Sequence, residues 1–128
     1  MKNKFNKPHS SEACTASLTA VGDALYVIGG KWKLRIIIAL SAGNKRFNEL
    51  QRTVTGISAR VLSNELKQLE QNGFIKRIVH TDSPVVVEYE LTNYSDTLDK
   101  VLGSLREWGL MHRTKIKREA RLGVGKLS

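Results

Sequence analysis

The chain has 128 residues, 41% hydrophobic and 26% charged, a balance that fits one domain with an ordinary core and excludes a disordered or fibrous chain. Its single cysteine, Cys14, excludes an internal disulfide framework. The net charge of +9 is uneven: residues 31–77 hold ten Lys/Arg against three acids, residues 78–112 two against six, and the two ends, 1–9 and 113–128, nine basic groups against one acid. A basic middle beside an acidic flank suits a face built for a polyanion, although a solvated charged surface has the same composition.

Residues 1–12 read as a flexible basic arm, and residues 13–119 as one domain. From Ser17 to Ile28, the apolar residues Leu18, Val21, Ala24, Leu25 and Ile28 recur at three and four, the spacing of one helical face. The stretch GGKWK, residues 29–33, invites comparison with a phosphate-binding loop. That loop needs G-x-x-x-x-G-K-[ST], but Leu25 stands at the first glycine position and Trp32 follows the lysine. The glycines instead end the first helix, with Trp32 in the core and Lys31 and Lys33 facing solvent or a nearby phosphate. The run from Lys31 to Ala42 is long for a strand and reads as a helix, despite the β-branched Ile36, Ile37 and Ile38.

After Gly43 and Asn44, a short helix presents Phe47, Leu50 and Val54 on one side. Thr55 and Gly56 turn the chain into a longer helix. Ser58 is its N-cap, Leu62, Leu66 and Leu69 are its buried stripe, and Asn72-Gly73 is its stop. Two helices of unequal length joined by a tight glycine-containing turn are the arrangement of a helix-turn-helix. Two strands with alternating residues, FIKRIVH and VVVEYELT, flank TDSP and form a hairpin. A last helix carries Leu98, Val101, Leu102, Leu105, Trp108, His112 and Ile116, and residues 120–128 read as a flexible basic tail. The fold class is α+β, mainly α: a winged helix-turn-helix with a two-stranded wing.

The motifs Ile28-Gly29-Gly30-Lys31-Trp32, Arg46-Phe47-Asn48-Glu49-Leu50, Gly56-Ile57-Ser58, Leu62 to Leu69 with Gly73, and Val87-Glu88-Tyr89 with Leu91-Thr92 together resemble the HxlR family of bacterial and archaeal transcription regulators. The resemblance runs from about Cys14 to Gly109. It implies a homodimer formed by the first and last helices, here through Leu18, Val21, Leu98, Leu102, Leu105, Trp108 and His112. It also implies a recognition helix in each major groove and wings touching the backbone. Two-fold symmetry then calls for an inverted-repeat operator with half-sites about 34–36 Å apart or a multiple of that.

Within this frame Ser58, Ala59, Arg60, Ser63, Asn64 and Lys67 form the DNA-reading surface: Arg pairs with guanine and Asn with adenine by two hydrogen bonds, while serine bonds base or phosphate. Lys45, Arg46, Lys76, Arg77 and His80 suit phosphates. The wing departs from the family's pattern, because Pro84 is followed by Val85 and Val86 where relatives carry a second proline and a cation, and Asp82 repels phosphate. Cys14 matches the N-terminal cysteine through which some relatives sense electrophiles or oxidants, although Thr15 replaces the usual following proline and Glu12 opposes a thiolate.

Double-stranded DNA, a second copy of the chain and a small electrophile or oxidant are therefore the expected partners. No cofactor is expected, and His9, His80 and His112 are too scattered to suggest a metal. An enzyme would need a nucleophile with its base, or a metal cluster, and neither pattern is present. A winged helix that binds protein without reading DNA remains the alternative. With no apolar run of membrane-spanning length and a polar start, the expected location is the cytoplasm, away from any membrane.

Overall fold

The computed structural model describes residues 10–123. Helix α1 spans Ser11–Ile28, α2 Lys33–Ser41, α3 Phe47–Thr53 and α4 Ala59–Gln71. Strands β1, Ile75–His80, and β2, Val86–Leu91, follow, then a 3-10 turn over Asn93–Leu98 and helix α5, Asp99–Arg121. The basic arm and tail lie mostly outside the described residues. Where the chain is described, Ser11 and Glu12 already belong to α1, and Ala120 and Arg121 still belong to α5.

Helix α1 starts early because the Ser10 hydroxyl accepts from the Ala13 amide at 3.0 Å, satisfying one of the free N–H groups of its first turn. It ends at Gly29, where an added Cβ would stand 2.3 Å from the Leu25 carbonyl oxygen, so only glycine lets the chain turn this sharply. Gly30 follows at φ +97°, and α2 leaves at a bend of 65° to α1. The three isoleucines of α2 are helical, since burial outweighs their β preference: Ile36 and Ile37 point into the core and Ile38 points out.

The core gathers Ile36, Ile37 and Leu40 from α2, Leu50 and Val54 from α3, and Ile57 from the turn. It is completed by Leu62, Leu66 and Leu69 from α4, Phe74 and Ile75 from the start of the wing, and Leu98. Trp32 packs against its edge. Strands β1 and β2 pair antiparallel with Ile75 opposite Leu91 and His80 opposite Val86. A bridge at Lys45 extends this sheet: its N–H donates to the Tyr89 carbonyl at 3.2 Å and its carbonyl accepts from Tyr89 at 2.8 Å. The pairing ties the wing to the loop ahead of α3.

Two sequence expectations need correction. Leu98 is a core residue, 8% exposed, and does not lie on the outer face of the last helix. The 3-10 turn that carries it advances 120° per residue instead of 100°, which changes the phase of the stripe before α5 begins. Lys33 does not face solvent. It is buried, and its ammonium donates to Glu65 Oε1 at 2.7 Å.

Candidate nucleic-acid interface

Helix α4 is placed by its ends and its apolar face. The Ser58 hydroxyl accepts from the Val61 amide at 3.1 Å, and the Asn72 amide side chain donates to the Gln68 carbonyl at the other end. Leu62, Leu66 and Leu69 are buried, which fixes the rotation of the helix about its own axis. The opposite side therefore exposes Ala59, Arg60, Ser63, Asn64 and Lys67. Arg60, Ser63, Asn64 and Lys67 stand at i, i+3, i+4 and i+7, one continuous stripe.

Of the two acids of α4, Glu70 is exposed beyond the far end of this stripe, whereas Glu65, between Arg60 and Lys67, is turned inward and neutralised by Lys33, with side chains only 18% and 10% exposed. The pair spans from the GGKWK junction to α4. It leaves the exposed stripe with two cations, hydrogen-bonding Ser and Asn, and no carboxylate. The N-terminal end of α4 adds the positive pole of the helix dipole beside Ser58 and Ala59.

The cations assigned to phosphates fall into two groups. Lys45 and Arg46 stand together ahead of α3, where the Arg46 amide donates to Glu49 Oε1 at 2.8 Å while its side chain stays exposed. Lys45 is half-buried, its backbone held by Tyr89. On the wing, Lys76 faces Glu90 in register at 3.5 Å, and His80 Nε2 lies 3.1 Å from Glu88 Oε1 on the same face of the hairpin. Arg77 lies on the other face, opposite Tyr89 in the register and exposed. Residues 75–91 hold two Lys/Arg against Asp82, Glu88 and Glu90, so the wing carries a net negative charge. Carboxylates on β2 compete with phosphate for two of the assigned wing contacts, a pairing set by strand register.

Of the residues assigned to a dimer contact, Leu18, Val21, Leu105 and Trp108 are exposed on the terminal helices. His112 is half-buried, its ring stacked on Trp108 with centroids 4.9 Å apart. Leu102 leans on the core with Leu98. Neither α1 nor α5 contains a buried residue, and Leu25, Tyr26, Leu110, Met111 and Ile116 extend the exposed apolar surface. Cys14 is exposed on α1, its amide donating to the Ser10 carbonyl at 3.0 Å. No single helix among the described residues is long and apolar enough to cross a membrane.

This geometry has close counterparts. The family model for the HxlR-like helix-turn-helix matches residues 27–117. The HTH-type transcriptional regulator YtcD of Bacillus subtilis is 41% identical over 97 residues, covering 76% of this chain and 77% of YtcD. Among solved structures, the redox regulator HypR in its reduced form superposes with a TM-score of 0.71 at 37% identity, covering 77% of this chain and 98% of HypR. The reduced form of the transcriptional regulator YodB from B. subtilis superposes with a TM-score of 0.63 at 37% identity, covering 68% of this chain and 85% of YodB.

Proposed function

The chain belongs to the HxlR-like helix-turn-helix family of DNA-binding transcriptional regulators, and from that premise we propose that it acts as a homodimeric repressor that reads an inverted-repeat operator through α4 and occludes transcription there. The observation that carries this reading is the acid-free stripe of Arg60, Ser63, Asn64 and Lys67, exposed along one side of a helix whose other side is locked in the core. A helix of this kind fits the major groove, where guanidinium and carboxamide groups discriminate guanine and adenine edges. The homodimer is supported by the apolar sides of α1 and α5, since scattered exposed apolar residues are ordinary but a continuous patch calls for a partner.

Substitution separates reading from positioning. In titrations against a duplex selected by the protein from a random pool and its single-base variants, Arg60→Ala and Asn64→Ala are each expected to remove about 1–3 kcal/mol of discrimination at one base position per half-site. Arg77→Ala is expected to weaken all duplexes alike and to flatten the salt dependence by about one phosphate. If all three variants lose affinity uniformly, α4 does not read bases and its assignment as the recognition helix is wrong.

Regulation through Cys14 is the finer part of the proposal, supported by the exposure of its thiol and by the likeness to the redox regulator HypR and to YodB, solved in a reduced and a diamide-treated form. An electrophile such as a quinone adds the thiolate sulfur, and the thiol proton passes to the quinone oxygen. Treatment with benzoquinone is then expected to weaken operator binding of the wild-type chain and to leave Cys14→Ser unaffected. Equal loss in both chains would rule this thiol out as the sensor.

A further inference from the structure

A groove of about 300 Å³ opens between α2 and the turn that joins α3 to α4, lined by Arg35, Ile38, Ala39, Thr53, Val54 and Thr55. Small-molecule sites begin at about this volume. Arg35, Ile38 and Ala39 stand at i, i+3 and i+4 and so form one wall. Ala39 and Val54 are buried, and Ile38, 53% exposed, adds an apolar flank that packing inside the domain does not use. Arg35 forms none of the ion pairs present among the described residues, and its guanidinium carbon lies 5.5 Å from the centroid of the Trp32 ring. The Thr53 hydroxyl donates to the Glu49 carbonyl at 2.9 Å, which leaves Arg35, with the Thr55 hydroxyl, to supply donors at the groove.

A forked cation at an apolar cleft selects a small carboxylate with a compact apolar body, because guanidinium and carboxylate match in two parallel hydrogen bonds. We propose that this groove is an effector site for such an amphipathic carboxylate, held by Arg35 with its apolar body against Ile38 and Val54. Val54 and Thr55 lead directly through Gly56 and Ile57 to the Ser58 cap, so a body seated on them bears on the start of the recognition helix. A ligand that prefers one placement of that turn changes DNA affinity by its differential binding to the two placements. The effector role rests on the DNA-binding reading; ligand binding itself does not.

The test uses the full chain carrying Trp108→Phe, which leaves Trp32 as the only one of the two tryptophans and a reporter beside Arg35. Benzoate is expected to change its emission saturably, with half-saturation below about 1 mM. Benzyl alcohol in place of benzoate, or Arg35→Gln in a chain whose melting is unchanged, is expected to weaken the response at least about tenfold, one decade of affinity. Absence of saturation, equal responses to acid and alcohol, or an unaltered response in Arg35→Gln each overturns the site. So does a loss of DNA affinity in Arg35→Gln when the parent chain itself shows no benzoate response, which makes Arg35 a phosphate contact instead. As a second readout, taken on the wild-type chain with Trp108 intact, saturating benzoate is expected to shift affinity for the selected duplex at least about fivefold, the lower end of ordinary coupling. Saturable binding with a shift under about twofold overturns the effector role. A wild-type chain that binds no duplex contradicts the regulator reading and leaves the fluorescence result to decide the groove.

Discussion

Lys33 and Glu65 are the residues on which the placement of α4 depends besides its leucines. Their contact at 2.7 Å, with both side chains largely buried, fixes the N-terminal turn of α2 against the middle of α4. Removing one partner of a buried pair leaves a charge without a counterion, at roughly 3–5 kcal/mol, whereas replacing both by apolar groups of similar size is often neutral. With the two side chains 10% and 18% exposed, water reaches the site and the lower end of that range applies. Glu65→Ala is thus expected to lower unfolding stability by about 3 kcal/mol in urea titration, and the double change Lys33→Met with Glu65→Leu to restore most of it. Equal loss in the single and double variants would show that the pair contributes no more than its packing. Lys33 was legible in principle: it precedes Ile37 and Leu40 by four and seven residues, the buried face of α2. Its charge pointed the other way, and a partner 32 residues distant leaves no local trace. The exposure of Arg60, Ser63, Asn64 and Lys67 was legible because the leucine stripe of α4 assigns the opposite face by elimination.

At the scale of elements, the wing is the least conventional part. Antiparallel register sets Glu90 beside Lys76 and places Glu88 diagonal to His80. Surface pairs of this kind contribute at most about 1 kcal/mol, so their effect on DNA binding lies in charge and not in stability. Glu90→Gln is expected to tighten binding to every duplex alike and to steepen the salt dependence by about one phosphate, with the melting temperature nearly unchanged. Unchanged affinity would show that Lys76 does not approach the backbone. The alternation of VVVEYELT made the second strand legible, but the register that pairs its acids with β1 depends on the turn and cannot be read from either strand alone. Helix boundaries were less legible still. Ser10 caps α1 well before the first residue of the apolar stripe, and the 3-10 turn before α5 carries leucine spacing that passes for α-helix while directing Leu98 inward.

Across the whole molecule, one core holds α2, α3, α4 and the wing, while α1 and α5 stand outside it with apolar surface exposed. The uneven charge fits this plan. The basic segment, residues 31–77, contains α2 through α4, and the acidic segment, residues 78–112, contains most of the wing and the first half of α5. The winged architecture was legible because successive motifs name successive elements. What covers the terminal helices was not, since an apolar stripe has the same spacing whether it meets its own core or another chain. On the proposed function, two copies read one symmetrical site. The most direct measurement is fluorescence anisotropy of the full chain, with a salt series, on a duplex selected from a random pool, on the same duplex with one half-site scrambled, and on a fully scrambled duplex. Two protomers per selected duplex are expected, with at least about a thousandfold preference over the fully scrambled duplex near physiological salt and an intermediate affinity for the half-scrambled one. Equal affinity for all three duplexes at every salt concentration would contradict the proposed function.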